Sequence, residues 1–361
     1  HAKLMPLMED YLAGIQAAMI REKISCPVSV VSGNGRPITM DDAVQQAGAT
    51  VASGPACTAE FGAMQTKDDG LVVDVGGTTT DIAMIKSGRV LLAEDGCRIG
   101  QWQTHVEAVD MYTGGIGGDS LVRLADKGGM EIGPSRVVPL AVAQSLPPVD
   151  QWLGTGEQAK CISLPPEAEV GNDPVICAIE KNGPATPEML NQLTGQSGMM
   201  LDKELENLAR NQLIVESGFT PTDALIVLGR VELGERQPAE EGAAVLAEVA
   251  GLKVTEFCEE VVRRTEEKIE NLIIDYLIYR SWGKSMAAFI SGRNSHPELS
   301  VNFGLKIPII GIGAAARSLL PAVADRLGTT VSFPQHCEVG NAMGAAFIST
   351  VEKLQPSGAV D

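Results

Sequence analysis

The sequence predicts an α/β protein, and its composition and two kinds of apolar pattern support that prediction. Of its 361 residues, 44% are hydrophobic and 4% are aromatic, so aliphatic side chains would fill the core. Short apolar runs at 71–73, 82–85 and 307–312 have the length and character of buried strands. Residues 4–22 and 254–280 carry apolar side chains at helical spacing, which indicates amphipathic helices.

The length, charge and cysteines of the chain limit what it can be. A chain of this length holds two domains, or one domain with a large insertion. Its net charge of −18 argues against a general nucleic-acid or membrane-surface binder, because phosphate contacts require concentrated Lys and Arg. The seven cysteines never form Cys-x-x-Cys, which argues against a disulfide framework or a structural zinc site and favours a reducing compartment. No apolar run approaches the ~20 residues of a membrane helix and no signal-peptide pattern opens the chain, so we expect a cytoplasmic protein.

Residues 71–85 read LVVDVGGTTTDIAMI and are the most informative stretch of the chain. An apolar run delivers Asp74 to a turn made of Gly76 and Gly77, and Asp81 stands where the next apolar run begins. Paired glycines let a backbone approach a ligand, and successive N–H groups in such a turn form an anion-binding nest. The threonines add hydroxyl donors, and a carboxylate on each side of the loop can hold Mg²⁺. The pattern therefore favours a phosphate-binding hairpin over a plain turn of small residues.

Two further segments could approach the same ligand. Residues 110–120 carry four glycines in five positions before an apolar segment, which predicts a second loop close to phosphate or metal. Residues 53–56 read Ser-Gly-Pro-Ala and open a helix. Ser53 could cap that helix, or the helix N-terminus could receive a phosphate or carboxylate, and the sequence favours neither role.

The pattern changes between residues 134 and 218, where prolines cluster. We expect this region to be an inserted small subdomain or a lid. The chain then divides into a phosphate-loop half at 1–133, the insertion at 134–218, and a helical, adenosine-side half at 219–361. Within the insertion we expect one strand at 173–180 and two helices at 187–193 and 203–216.

The last third of the chain offers a carboxylate, a charged run and a further strand to interpret. Asp223 precedes an apolar run, and it either lies near the site or, like its neighbour Thr222, caps a helix. The Glu-Glu-Lys run at 266–268 is interpreted as the solvated face of the helix at 254–280. Residues 285–292 have the signature of a buried strand.

Near the C-terminus, the apolar run at 307–312 continues into a Gly-x-Gly-Ala turn at 311–314 and a helix. This turn is not Gly-x-Gly-x-x-Gly and lies late in the chain, which argues against nicotinamide binding. His105, His296 and His336 lack metal-ligand spacing and are expected to be structural or on the surface, although His336 lies near a glycine turn. No Gly-x-Ser-x-Gly or Cys/His pattern supports nucleophilic catalysis.

Residues 73–82 resemble the second phosphate loop of the hydantoinase/oxoprolinase family, which belongs to the acetate kinase, sugar kinase, Hsp70 and actin superfamily. Further stretches resemble segments of the same family in the same order, namely 30–35 with 53–56, 109–120, 222–230, 310–328 and 339–345. Together they cover most of the chain outside 134–218. The resemblance implies an actin-like ATPase (ribonuclease H-like) fold, with a mixed sheet flanked by helices and an inserted small subdomain.

Members of that family use ATP to open a cyclic amide such as a hydantoin or 5-oxoproline. An amide is a poor electrophile, and phosphorylating its carbonyl oxygen supplies a leaving group, so the protein mainly positions the reactants and screens charge. The resemblance implies ATP and Mg²⁺ as cofactors, with Asp74 and Asp81 as metal ligands. Asp74, Asp81 and Asp110 are the expected catalytic carboxylates, and Asp223 is a further candidate that faces the cleft. The expected nucleotide contacts are Gly76, Gly77, Thr78, Thr79, Gly117, Gly118, Gly311, Gly313 and Ala314.

The chain also departs from the family pattern. Family members begin with a further domain that carries its own Asp-x-Gly-Gly-Thr loop, whereas this chain has one such loop. The expected Pro-Gly-Pro-Ala-Cys segment is replaced by the proline-rich region, and the nucleotide turn reads Gly-Ile-Gly-Ala-Ala at 311–315. We therefore expect a fragment of a longer protein, or a chain whose first domain is a separate subunit, and an oligomer.

Two alternatives to a hydrolase remain open at this point. The chain could be a non-catalytic ATP-binding or chaperone-like reactivating member of the same superfamily. It could also be a purely structural α/β domain, although every glycine loop would then be a coincidence. We expect a small-molecule cyclic amide as substrate, and neither nucleic acid nor a membrane as partner.

Overall fold

A computed structural model describes residues 3–93, 98–99, 102–103, 106–125, 129–154, 156–166, 172–293, 298 and 301–351. Its helices are α1 Met5–Arg21, α2 Met40–Gln45, α3 Ser53–Ala63, α4 Pro174–Asn182, α5 Pro187–Thr194, α6 Gly198–Arg210, α7 Pro221–Val227, α8 Arg236–Ala250, α9 Val254–Trp282, α10 Ala287–Gly292, α11 Ala316–Arg326 and α12 Gly340–Val351. Its strands are β1 Val30–Val31, β2 Pro37–Ile38, β3 Gly70–Val75, β4 Thr80–Lys86, β5 Arg89–Val90, β6 Arg98–Ile99, β7 Trp102–Gln103, β8 Met111–Gly114, β9 Ser120–Leu124, β10 Met130–Arg136, β11 Val138–Pro139, β12 Lys160–Ser163, β13 Val215–Gly218, β14 Ile309–Ile312 and β15 Val331–Ser332.

A six-stranded mixed sheet organises these elements. Its order is β15-β14-β3-β4-β5, and β8 pairs with the part of β4 that lies nearer the hairpin turn. Strands β3, β14 and β15 are parallel, whereas β4 runs antiparallel to β3, β5 and β8. The α/β class and the mixed sheet flanked by helices are therefore confirmed.

Strand β3 can occupy the centre of this sheet because its side chains are apolar on both faces. Leu71 and Val73 belong to the main core, to which α9 and α11 contribute, whereas Val72 packs on the side of α3. Successive side chains of a strand alternate between faces, so a strand covered on both faces reads as a continuous apolar run. The run at 71–73 therefore predicted a buried strand correctly.

Helix α12 lies against α3 on the same side of the sheet as Val72. Two glycines make this close approach possible, because a Cβ on Gly344 would overlap the Cys57 carbonyl and one on Gly340 would overlap the Ile312 side chain. The α3–α12 pair thus backs one face of the sheet, and α9 and α11 back the other.

The proline-rich region has a sheet of its own. Strand β13 lies between β11 and β12, parallel to the first and antiparallel to the second. The adjoining helices α4, α5 and α6 enclose a separate apolar cluster, formed by Ile162, Val175, Ile176, Ile179, Ala185, Leu190, Leu201, Leu205, Leu208 and Ile214. The boundaries at 133/134 and 218/219 stay predictions.

The prediction of a strand at 173–180 is wrong, because helix α4 lies there. The Asp173 carboxylate accepts hydrogen bonds from the amides of Val175 (2.9 Å) and Ile176 (3.1 Å), and Pro174 is the first helical residue. An acidic N-cap followed by proline is a helix start. The helix expected at 203–216 also begins and ends earlier, as α6, and β13 starts at Val215.

The prediction of a buried strand at 285–292 is wrong as well, since the chain forms the short helix α10. The Ser285 hydroxyl and the Met286 amide both donate to the carboxylate of Asp275 on α9, at 2.8 and 2.7 Å. These bonds begin a helical turn, in which Ile290 is the buried residue. Among the helices of the described residues, none combines the length and apolar character needed to cross a bilayer.

The charged run at 266–268 is not a purely solvated face. Glu266 is 7% exposed and accepts a hydrogen bond of 3.1 Å from Arg326 of α11. The Lys268 ammonium donates to the Ile132 carbonyl at 2.6 Å. Because α9 packs against both α11 and β10, its charged side chains tie neighbouring elements together.

Candidate functional site

Asp74 and Asp81 lie directly opposite each other in the β3–β4 pair. Residues opposite each other in an antiparallel pair place their side chains on the same face of the sheet. Both carboxylates are half-buried and line one small cavity. The other residues of its lining are Pro55, Thr58, Ala59, Val72, Ile82, Ala83 and Met111.

Threonine hydroxyls donate hydrogen bonds to both carboxylates. Thr58, on the buried face of α3, lies within hydrogen-bonding reach of Asp74 and lowers its pKa, and its hydroxyl also lies 3.4 Å from the Gly54 carbonyl of its own helix. Asp81 accepts from Thr79 at 3.3 Å and from Thr113, which lies opposite it on β8. The site therefore gathers donors from the hairpin, from the neighbouring strand and from the covering helix.

The electrostatic environment of the pair is unfavourable to two bare negative charges. Burial raises the pKa of Asp74 to about 6; the Thr58 hydrogen bond opposes this shift and the Asp81 charge adds to it. Burial likewise raises the pKa of Asp81, against the hydrogen bonds from Thr113 and Thr79. Among the described residues, no ion pair includes either carboxylate.

The donor set fits a hard divalent cation. Magnesium is usually held by one or two carboxylates, with the remaining positions taken by water or phosphate oxygens. No cluster of three or more His, Cys, Asp or Glu that could hold a metal occurs in the part of the chain that the structure describes. A metal here would therefore depend on Asp74 and Asp81 together with ligands from outside the protein.

The turn between the two carboxylates is held in shape by its own backbone and by the glycine-rich loop. The Gly76 amide donates to the Thr79 carbonyl at 3.0 Å, which closes the hairpin. The Gly118 and Asp119 amides donate to the carbonyls of Gly76 (3.0 Å) and Gly77 (2.7 Å). Thr78 is exposed at the tip of the turn. The two loops predicted from the sequence are thus in direct contact.

This contact defines what Gly117 and Gly118 do. Both are buried, and the Gly117 amide donates to the Ser120 hydroxyl at 3.0 Å. A Cβ on Gly117 would overlap the carbonyls of Gly76 and Gly77. These glycines allow the second loop to pack under the first, and their amides are already engaged. A nucleotide contact by either of them stays a prediction.

The third predicted glycine segment reaches the same place from β14. The Gly313 amide donates to the Cys337 carbonyl at 2.9 Å, and the Ala315 amide donates to the Val75 carbonyl at 3.1 Å. Gly313 has a φ of +96° and leaves no room for a Cβ beside the Asp74 carboxylate. Ala314 is exposed next to it. The turn therefore abuts the Asp74 carboxylate, and a nucleotide contact by Gly313 or Ala314 stays a prediction.

Gly311 has a different surrounding from Gly313. It lies buried within β14, and its missing side chain makes room for the ring of Phe333. Its geometry indicates packing, and a nucleotide contact by Gly311 stays a prediction without support from its position.

The structure does not bring Asp110 to the carboxylate pair. Asp110 forms an ion pair with Arg280 of α9, and α9 packs on the opposite face of the sheet from α3. Burial raises its pKa, and the Arg280 charge opposes that shift. Successive side chains along a strand point to opposite faces of the sheet. Thr113 of β8 lies opposite Asp81, so the odd-numbered residues here share the face of Asp81, whereas the even-numbered Asp110 points to the other face. The structure thus places Asp110 in an ion pair away from Asp74 and Asp81, and a catalytic role for Asp110 stays a prediction without support from its position.

Asp223 is also removed from the cleft. It is fully buried and accepts hydrogen bonds from the amides of Leu140, Ala141 and Thr220 and from the Thr220 hydroxyl. Thr220 and Asp223 form a capping box at the start of α7. Of the two roles considered for Asp223, capping is the one the structure shows.

The start of α3 does not show a capping role for Ser53. The N-cap is Ala52, in a left-handed conformation with a φ of 65°, and no side chain caps the helix. A ligand role for this N-terminus stays a prediction. His336 is exposed in a left-handed turn before α12, and His105 and His296 lie outside the described residues.

Three residues of the site were missed by the sequence reasoning. Thr58 carries the hydroxyl on an α3 face that otherwise presents alanines and Phe61, and this mismatch in polarity was readable from helical spacing. Thr113 could be found only once β8 was registered against β4. Asp119 stood within the glycine-rich loop without an assigned role.

The fold and the site together define a class of protein. A mixed sheet with helices on both faces and three glycine turns converging on a carboxylate pair is an actin-like ATPase fold. A nucleotide-free structure of acetone carboxylase, from work on ATP-dependent acetone carboxylation, shares it with a TM-score of 0.56 and 18% identity, over 93% of this chain and 37% of that one. The ATP-dependent caprolactamase from Pseudomonas jessenii gives a TM-score of 0.54 and 20% identity, over 94% of this chain and 39% of that one.

The chain belongs to the hydantoinase/oxoprolinase family, which matches residues 1–353. The caprolactamase subunit alpha of Pseudomonas jessenii is 28% identical over 138 residues, which are 37% of this chain and 20% of that protein. This chain therefore spans less than two fifths of the length of the relatives it matches. The family expected from the sequence is confirmed.

Proposed function

We propose that this chain is the nucleotide-binding part of an ATP-dependent hydrolase that opens a cyclic amide of the hydantoin or 5-oxoproline type. The observation that supports this proposal most is the pair Asp74 and Asp81, half-buried at the two ends of a glycine turn and without a paired cationic side chain in the described part of the chain. Family membership and the similarity to a caprolactamase subunit support the reaction class.

The proposed chemistry makes the amide reactive through its oxygen. An amide carbon is a poor electrophile, and transfer of the terminal phosphoryl group of ATP to the carbonyl oxygen, with ADP as the leaving group, makes that carbon open to attack by water. The C–N bond of the adduct then breaks and the nitrogen takes a proton, which opens the ring to an acyl phosphate. A second water hydrolyses the acyl phosphate to the carboxylate and inorganic phosphate. Phosphoryl transfer asks the protein mainly to position reactants and to stabilise charge. The chain's carboxylates, hydroxyls and backbone amides match that task.

Each part of the site has a proposed role. Asp74 and Asp81 hold Mg²⁺, and the hydroxyls of Thr58, Thr79 and Thr113 fix the direction of their oxygens. Mg²⁺ supplies positive charge that neutralises phosphate oxygens. The turn at 76–79 receives the phosphates with backbone N–H and hydroxyl groups, and Gly313 with Ala314 faces the nucleoside.

We further propose that the amide substrate is bound with the help of a second domain or subunit. The relative with 28% identity is named as an alpha subunit, and this chain spans only part of the related proteins. An oligomer with a partner chain is the arrangement this favours.

The test is ATP-dependent ring opening by the full-length protein with its partner. Hydantoin, 5-oxoproline and ε-caprolactam would be offered in turn, with chromatography of the opened product and ADP release as the two readouts. We expect one of these amides to be opened only when ATP and Mg²⁺ are present. Asp74→Asn should abolish both readouts, and Asp69→Asn, which alters an exposed ion pair with Lys86, should leave them intact. Ring opening without ATP, or ATP turnover that survives in Asp74→Asn, would contradict the proposal.

A further inference from the structure

Arg136 is fixed close to the phosphate turn by its backbone. It is the last residue of β10 and pairs with Ser120 of β9, and the register of the two strands shifts between Ile132 and Arg136. The next amide, of Val137, donates to the Asp119 carbonyl at 3.0 Å. Irregularities of this kind re-aim a strand end and are common beside active sites. Here the shift places the end of β10 against the glycine-rich loop.

The Asp119 carboxylate stands between Arg136 and the phosphate turn. Its Oδ2 lies so close to Gly77 that a Cβ there would overlap it. The same oxygen accepts a hydrogen bond of 3.3 Å from Nη2 of Arg136. The Asp119 amide also donates to the Gly77 carbonyl at 2.7 Å. Asp119 is therefore fixed against the turn, and its carboxylate lies between the turn and the Arg136 guanidinium.

Stability does not account for this arrangement. The Arg136 side chain is 61% exposed, and ion pairs that are this exposed add little to folding. The guanidinium has five N–H donors, so a bond through one terminal nitrogen leaves it able to bind a second anion.

The negative charge of the two loops gives a functional reason for an arginine at position 136. The loops at 74–81 and 114–119 contain no Lys or Arg, whereas they contribute the carboxylates of Asp74, Asp81 and Asp119. A nucleoside triphosphate brought to the turn would add further negative charge. Mg²⁺ bound by two carboxylates offsets only part of it, and an arginine offers the planar, bidentate geometry that phosphate oxygens prefer.

We propose that Arg136 binds the terminal phosphate of the nucleoside triphosphate, exchanging its bond to Asp119 for bonds to phosphate oxygens. This inference rests on the proposed function and adds a phosphate-binding residue to it. Asp119 holds the guanidinium beside the turn until the triphosphate arrives. The proposal distinguishes triphosphate from diphosphate, because only the former carries the phosphate that Arg136 reaches.

The test is calorimetric titration of Mg-ATP and Mg-ADP into the full-length protein with its partner and into the same assembly carrying Arg136→Ala. We expect the dissociation constant for Mg-ATP to rise about 10- to 100-fold, the range of one or two charge-assisted hydrogen bonds. The dissociation constant for Mg-ADP should rise less than about 5-fold. Mg-ADP lacks the phosphate that Arg136 contacts, so the variant loses only the attraction of a positive charge that solvent screens. Arg136→Lys should recover part of the Mg-ATP affinity, since it restores charge without the fork.

Arg123→Ala is the matched control, because Arg123 is an exposed arginine on the same β9–β10 pair, opposite Glu131. It should leave both nucleotides within about 2-fold of the unaltered chain. Asp119→Asn tests whether the Arg136 guanidinium or the Asp119 carboxylate is the group that contacts the nucleotide. It should leave Mg-ATP binding unchanged or tighter, because the restraint on Arg136 and one negative charge are removed.

Equal affinity for Mg-ATP in Arg136→Ala and the unaltered chain would overturn this inference and leave the proposed function standing. Loss of Mg-ATP binding in Asp119→Asn with no change in Arg136→Ala would also overturn it, and would make Asp119 the ligand-contacting group. An unaltered full-length protein that binds neither nucleotide would remove the proposed nucleotide site and this inference with it.

Discussion

Two groups of carboxylates, one on α9 and one on the β3–β4 hairpin, differ in their partners. On the α9 side, Glu270 is 5% exposed and accepts hydrogen bonds from Arg293 and from Arg326, and Glu266 accepts a second bond from Arg326. On the α3 side, Asp74 and Asp81 face each other with hydroxyl donors and no paired cation among the described residues. The first group is neutralised within the protein, and the second is not.

The difference in partners distinguishes the glutamates of α9, which are structural, from the aspartate pair, which is available to a ligand. A buried carboxylate that is neither paired with a cation nor held by several backbone amides costs free energy, and such groups concentrate at ligand and reaction sites. The arginine-paired glutamates join α9, α10 and α11. The aspartate pair lies half-buried, without a paired cation among the described residues, next to the glycine turn proposed to bind phosphate. If this comparison is sound, the two groups must respond oppositely to loss of charge.

The largest effect is expected on the scaffold side, with Glu270→Ala. Removing this carboxylate leaves the guanidinium groups of Arg293 and Arg326 without their shared partner, which should lower the free energy of unfolding by about 3–5 kcal/mol. Urea unfolding followed by circular dichroism measures it. Glu267→Ala removes a more exposed partner of Arg263 on the same helix and should cost less than about 1 kcal/mol. Similar losses in the two variants would break the comparison.

The next effect concerns Asp223, a buried carboxylate whose partners are neutral donors. Burial raises its pKa to about 6, against hydrogen bonds from Ala141, Thr220 and Leu140. The folded chain therefore keeps a proton that the unfolded chain releases, and the contribution of this group to stability rises as the pH falls from above 6 towards 4. The unaltered chain should gain about 2 kcal/mol relative to Asp223→Asn between about pH 7 and about pH 4.5.

Urea unfolding of both proteins across this pH range is the measurement. Asp69→Asn provides a control of opposite sign, because a hydrogen bond from Lys86 lowers the pKa of Asp69. In that case the unaltered chain should keep its stability relative to the variant down to about pH 4.5 and lose it only at lower pH, as the pH falls through the lowered pKa. A parallel pH dependence for Asp223→Asn and the unaltered chain would mean that Asp223 does not titrate in this range.

A smaller effect sharpens the description of the site. Thr58→Val replaces the hydroxyl that donates to Asp74 with a methyl group of similar size. We expect Mg-ATP affinity to fall about 10-fold, the value of one hydrogen bond to a charged group, with a change in stability of less than about 1 kcal/mol. Thr58→Ser should restore binding.

Thr265→Val is the matched control for this prediction. Thr265 is equally buried, and its hydroxyl donates to the Val261 carbonyl of its own helix at 2.8 Å, far from the turn. Its loss should leave nucleotide affinity unchanged. If Thr58→Val and Thr265→Val had the same effect on binding, the Thr58 hydroxyl would have no specific role in orienting Asp74.

The parts of the fold that the sequence predicted correctly are those specified locally. The β3–β4 hairpin follows from two apolar runs around a glycine turn, and its register alone sets Asp74 opposite Asp81. The long helix α9 follows from its apolar spacing. The two false strands, at 173–180 and 285–292, were short apolar runs for which periodicity cannot separate helix from strand. In the first of them, Asp173 followed by Pro174 already marked a helix start.

The parts that could not be predicted depend on contacts between distant segments. The sequence around Asp110 does not indicate that Arg280 is its partner, and the sequence around Glu266 does not indicate Arg326. Arg136 is 59 positions from Gly77 and reaches it through Asp119 and a shift in strand register. Charge and residue type identify candidates along a sequence, whereas pairing across elements decides which of them are already neutralised.

The measurement that tests the central claim most directly compares Asp74→Asn with Glu270→Gln, each assayed for Mg-ATP binding by calorimetry and for thermal unfolding. The account predicts that Asp74→Asn loses binding and unfolds at a higher temperature, because a repelled, half-buried charge has been removed. It predicts that Glu270→Gln keeps binding and unfolds at a lower temperature, because Arg293 loses its counter-charge and Arg326 keeps only Glu266. Retained binding together with reduced stability in Asp74→Asn would contradict it, and would place Asp74 with the scaffold carboxylates.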